Sequence, residues 1–143
     1  MHKVRGSEAV QLLGAIDPEN GATPLLATDW VAARDFDRFL GIVFVGAMTT
    51  NSEVTAIVQE ATDDQGTSPQ AVNTSATLTE AGGDDDSQII VNARADEMSD
   101  GYTHLRLLVE IDTAASFVAG ALYGLNARYG GEENHAATVE SVV

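Results

Sequence analysis

From Arg38 to Met48 the chain reads Arg-Phe-Leu-Gly-Ile-Val-Phe-Val-Gly-Ala-Met, apolar at odd and even positions alike. That pattern predicts a central strand buried on both faces. Glu53 to Glu60 alternates instead, with Val54, Ala56 and Val58 on one face, and the turn-forming Thr49-Thr50-Asn51-Ser52 between the two segments predicts a hairpin. Asp63-Asp64-Gln65-Gly66 is the next turn, and the threonine-rich stretch from Ala71 to Thr79 fits an edge strand. After the loop Gly82-Gly83-Asp84-Asp85-Asp86, strands are predicted over Gln88–Ala95 and His104–Ile111, the latter with Leu105, Leu107, Val109 and Ile111 in strict alternation. The last, Ala115–Tyr129, sets Phe117, Ala119, Ala121, Tyr123 and Leu125 against Val118, Gly120, Leu122 and Gly124. Its alanines would also suit a helix, but two glycines at about 1 kcal/mol each favour the strand.

Strands of this length between Gly, Asn and Asp turns predict an all-β fold, an antiparallel β-sandwich of jelly-roll-like type. Residues 25–130 form its domain. Residues 1–24 show weak periodicity; a short helix over Ser7–Ala15 is possible, and an extended N-terminal arm fits equally well. Val10, Leu12, Leu13 and Ile16 make that arm too apolar for an idle tail and mark it as a candidate contact with a neighbouring subunit. Residues 131–143 read as a short polar C-terminal tail, mobile when free or ordered on a partner.

Charge narrows the partners. Seven basic against 22 acidic residues leave −15, with a single lysine, Lys3. A field of that sign repels phosphate, so neither nucleic acid nor an anionic membrane is expected as a partner. No stretch approaches the roughly 20 apolar residues of a membrane span, and the opening residues do not form a signal-peptide core, so secretion is not expected. With no cysteine in the chain, thiolate metal sites and cysteine nucleophiles are excluded.

Candidate chemistry is sparse. His2, His104 and His135 lack paired metal-ligand spacing, and Asp84-Asp85-Asp86 lacks the alternating ligands of a calcium loop, so no metal and no cofactor are expected. Asp63-Asp64 reads the same way, as a solvated turn. No Gly-x-Ser-x-Gly occurs, no phosphate-cradling glycine loop occurs, and one tryptophan is a poor basis for a sugar cleft. No catalytic residue is named, and an enzyme is the least supported class. Trp30 and Phe36, near the start of the strongest strand, fit either core or an aromatic anchor between subunits. Arg128 and Tyr129, at the domain's edge, carry the same two readings.

The order of motifs is informative too. Asp29-Trp30-Val31, Phe36-Asp37-Arg38-Phe39, Val45-Gly46-Ala47 and Val58-Gln59-Glu60-Ala61-Thr62-Asp63 are followed by Arg94-Ala95-Asp96-Glu97-Met98, Gly101-Tyr102-Thr103-His104-Leu105-Arg106-Leu107, Gly120-Ala121-Leu122-Tyr123-Gly124-Leu125 and Ala127-Arg128-Tyr129. From Thr28 to Gly130 this resembles the small capsid decoration (cement) proteins of tailed bacteriophages. The resemblance implies a structural virion protein made in the host cytoplasm. It would sit on the outer capsid surface as a homotrimer and bridge major capsid protein subunits, and it carries over no catalytic residue. A head–tail connector, a tail-tube or terminator subunit, and a carbohydrate-binding attachment domain are the alternatives.

Overall fold

Alternating side chains become strands throughout the computed structural model, which describes residues 6–21, 25–128 and 135–139. In chain order these are β1 (Val10–Gly21), β2 (Leu25–Ala27), β3 (Val31–Ala32), β4 (Phe36–Met48) and β5 (Glu53–Ala61). Then come β6 (Gln70–Ala71), β7 (Ala76–Thr79), β8 (Gln88–Arg94), β9 (His104–Asp112) and β10 (Ser116–Ala127). They form two antiparallel sheets. The first runs β1-β10-β4-β8; the second runs β2-β9-β5-β6, with β3 also on β9 and β7 also on β5. The fold is an all-β antiparallel sandwich, consistent with a jelly-roll-like class.

The core lies where the inner faces meet. Phe39, Val43, Val118 and Leu122 of the first sheet oppose Val54, Val58, Leu105 and Leu107 of the second, all essentially buried. Each such side chain contributes about 1.5–3 kcal/mol relative to exposure. The sheets approach closely at Gly41, where a Cβ would stand 2.9 Å from Leu107 Cδ1 of the second sheet. At Gly124 a Cβ would stand 2.5 Å from the Phe36 ring, so the ring occupies the space any side chain would need. That ring belongs to β4, the neighbouring strand, and its position requires glycine at 124 of β10.

Two expectations change. Thr49–Ser52 does not close a hairpin: it carries the chain from one sheet to the other, because β4 already pairs β10 on one side and β8 on the other. The crossing is fixed inside the core, where the Ser116 hydroxyl donates to Ser52 Oγ at 2.9 Å, both side chains fully buried. The stretch Ala71–Thr79 does lie at a sheet edge, as two short strands, β6 and β7, both on β5.

The N-terminal segment is extended but is not a free arm. After one helical turn at Gly6–Ala9, β1 pairs with β10 along its length, with irregularities at Leu12/Gly14 and Ile16/Glu19. The first irregularity turns both Leu13 and Ile16 inward, where each is 7% exposed. An apolar segment with alternating inward residues gains more by completing its own sheet than by waiting for a neighbour.

A candidate interaction surface on the four-stranded sheet

Strand register places the outward side chains of the first sheet in rows. Ala15, Ala121, Ile42 and Ile90 lie side by side across β1, β10, β4 and β8. The next row is Leu12, Tyr123, Leu40 and Asn92; beyond it come Val10, Leu125, Arg38 and Arg94. In the other direction Ala119 stands beside Phe44 and Gln88, with Phe117 near the end of β10. Between the Arg38 and Phe44 rows, the outward positions of β4, β8 and β10 include no Asp or Glu, in a chain with 22 of them.

Among the described residues nothing covers this face. Phe44, Ile90 and Phe117 are 53%, 61% and 52% exposed, among the most exposed large apolar side chains described. Small residues (Ala15, Ala119, Ala121) form a trough between these larger ones, and a depression of about 400 Å³ opens beside Arg38, Leu40, Asn92 and Leu125. Single exposed apolar residues are ordinary, whereas a contiguous group is a feature of interaction sites.

The other outer face carries the charged and hydroxyl side chains, although Leu25, Ile57 and Leu108 also lie on it. Glu53, Glu110 and Asp112 project from β5 and β9, Thr55 and Thr77 share a 2.8 Å hydroxyl contact, and the Arg106 guanidinium bonds to Gln59 Oε1.

Each edge of the first sheet is engaged at one residue. On β1, the Leu12 N–H donates to His135 Nδ1 at 2.9 Å, and Leu12 O accepts from Ala136 N–H at 2.6 Å. On β8, Asn73 Nδ2 donates to the Asn92 carbonyl. Edges blocked in this way resist strand addition. What the first sheet presents is its face.

The residues singled out from sequence divide accordingly. Val10 and Leu12 lie on the apolar face. Leu13, Ile16 and Phe36 are core and unavailable to a partner in the folded chain; Phe36 meets Phe39 edge-on at 6.0 Å. Trp30 is held within the chain: Arg106 Cζ stacks 4.4 Å over its ring, and Gly66, at φ +79°, lies against its edge. Partial burial pushes the Arg106 pKa down. Arg128 is exposed and pairs with Asp37 at 3.0 Å. It borders a second hollow, of about 630 Å³, with Arg34, Met98, Tyr102 and His104. Tyr129 lies outside the described residues.

The signal that would have located the face was present. β4 is apolar on both sides, a pattern that predicts burial on both, yet no further layer covers it or β10 among the described residues.

The acidic loops are structured rather than merely solvated. Asp84 Oδ2 accepts from Thr79 N–H, Asp85 Oδ1 from Met48 N–H, and Asp63 Oδ1 from Gln65 and Thr67 N–H. Among the described residues no group of three or more His, Cys, Asp or Glu could hold a metal, and no helix is long and apolar enough to cross a membrane.

No known family model and no curated protein matches the chain. Distant likenesses occur among solved structures. A chain from the Gx strain of infectious bursal disease virus is 13% identical over 86% of this chain and 34% of its own, with a TM-score of 0.48, so this chain spans about a third of that one. The C-terminal extracellular domain of EmbC from Mycobacterium tuberculosis is 15% identical over 82% of this chain and 42% of its own, with a TM-score of 0.41. A Broad Bean Stain Virus structure is 11% identical over 100% of this chain and 99% of its own, with a TM-score of 0.36. Overlaps this loose, at such identities, bear on no function.

Proposed function

We propose that this chain is a structural virion protein that binds the outer surface of a phage capsid and stabilises the shell by bridging major capsid protein subunits. It does so without chemistry of its own. The observation that carries an assembly role is the uncovered apolar face of the four-stranded sheet on a chain of charge −15. The motif order from Thr28 to Gly130 supports the capsid address. Binding to assembled subunits and not to dispersed ones would stabilise the shell by mass action, and self-association would multiply weak contacts through effective concentration.

The test is occupancy. Expanded heads assembled from the major capsid protein of the same genome are incubated with the purified chain, pelleted and heated. The proposal expects saturable binding and a raised temperature of head disruption. Heads that neither bind the chain nor gain stability contradict it.

A further inference from the structure

We infer that the apolar face of the four-stranded sheet is where the chain pairs with a second copy of itself, face to face about a twofold axis. This rests on the reading of that face as an assembly surface and names its occupant. Three observations point to a second copy rather than to another partner.

The first is charge. Two chains of −15 repel wherever their carboxylates approach, and on this sheet the exposed Asp17 and Glu19 lie on the β1 edge strand while the outward positions of β4, β8 and β10 offer none. A basic partner would find acidic groups only at the margins of the face, on β1 and at Asp86. Two copies meeting on this face bring the least like charge together.

The second is area. From Leu125 to Phe117 is eight residue steps at about 3.4 Å, and four strands at about 4.8 Å give the width. The face therefore measures about 27 by 19 Å, or about 500 Å². Two copies would bury about 1,000 Å², where specific interfaces begin.

The third is shape and polarity of the ends. The Ala121 trough, flanked by Ile90, Phe44 and Tyr123, lets large side chains of one copy enter the small-residue row of the other, as inner faces do in a sandwich. Arg38 marks one end of the face, beside Arg94, whose guanidinium is already paired with Asp96. Exposed Asp86, whose N–H donates to Gly46 O, marks the other. A twofold axis perpendicular to the strands lays each arginine end over the partner's Asp86 end; such exposed pairs set orientation more than affinity. Pairing of this kind is isologous and closes at two, so the geometry points to a dimer in place of the trimer that the family resemblance implies.

The test is sedimentation equilibrium of the full chain at 0.1 and 1 M NaCl, with Ile90→Asp and Phe44→Asp as variants and Thr77→Asp, on the opposite face, as control. Thermal unfolding followed by circular dichroism checks that each variant folds. The inference expects a dimer that tightens in 1 M NaCl, where the Debye length falls to about 3 Å and repulsion is screened. Ile90→Asp and Phe44→Asp should weaken it roughly 30-fold or more, as loss of an interface anchor does, while Thr77→Asp leaves it unchanged. A monomeric wild type, a trimer, or a dimer indifferent to both face variants overturns it. Parallel binding to expanded heads separates the two readings. A monomeric chain whose head binding is lost in Ile90→Asp keeps the assembly surface and overturns the twofold pair. A dimer that ignores heads keeps the pair and overturns the capsid reading.

Discussion

Ile42 and Ile90 stand opposite each other across β4 and β8, outward-facing on the same row, with Ile90 61% exposed. Two β-branched apolar residues side by side at the centre of an uncovered sheet stabilise their strands through cross-strand contact, worth roughly 0.2–1 kcal/mol. Replacing Ile90 by Thr should therefore cost the isolated chain less than about 1 kcal/mol, because the side chain has little burial to lose. Chemical denaturation of Ile90→Thr beside Val91→Thr checks this. Val91, 5% exposed on the inner face, should cost several times as much.

The serine pair is expected to behave as a unit. Ser52→Ala leaves the buried Ser116 hydroxyl without its 2.9 Å partner, a loss of about 1–3 kcal/mol. Ser116→Ala should act similarly, and the double variant should lose less than the sum of the two. Urea unfolding of the three variants measures the coupling. Simple additivity would mean that the crossing from β4 to β5 does not depend on the contact.

Gly66 can be replaced only with strain. Its φ is +79°, and a Cβ would stand 2.4 Å from Trp30 Nε1. Gly66→Ala is expected to destabilise by roughly 1–3 kcal/mol and to shift the Trp30 fluorescence as the ring is pushed away. Hydrogen bonds from Thr67, then from Gln65 and Gly66, hold Asp63 below its ordinary carboxylate range. A lowered folded-state value means that the contribution of this turn is present above 3.8 and lost as pH falls through the lowered value. An NMR titration of Asp63 should show its midpoint below 3.8. Asp63→Asn should reduce the acid sensitivity of the Trp30 signal.

His135 accepts from Leu12 N–H through Nδ1, so its proton sits on Nε2, which donates to Ser7 O at 3.1 Å. His135→Ala should free the β1 edge and speed amide exchange at Leu12 several-fold, since a net hydrogen bond is worth about 1 kcal/mol. Exchange followed by NMR or mass spectrometry would show it. Unchanged protection at Leu12 would mean that the edge is closed by other contacts.

Much of the architecture was legible because strand alternation is a local signal. Leu105, Leu107, Val109 and Ile111 announce β9 whatever surrounds them, and Gly120 and Gly124 excluded a helix for β10. Pairing is not local. Nothing near Thr49–Ser52 says that β4 will find β10, 68 or more residues on, before it finds β5, and the buried hydroxyl pair that fixes the crossing joins residues 64 apart. The N-terminal segment misled for the same reason, since Leu13 and Ile16 look like contacts for another chain until β10 appears beside them. The interaction face was half legible. Val10 and Leu12 stand out in the sequence, while Ile42 and Phe44 read as core, because a strand apolar on both sides reads alike whether its second cover belongs to the same chain or to another.

The chain has no cysteine, so single cysteines can report which face is covered in the working assembly. Maleimide labelling of Ile90→Cys, compared with Thr77→Cys on the opposite sheet, in dilute monomer and in the assembled particle, tests the central claim most directly. The account expects equal labelling in the monomer and strong protection of the Ile90→Cys thiol alone in the particle. Equal labelling of both in the particle would contradict it.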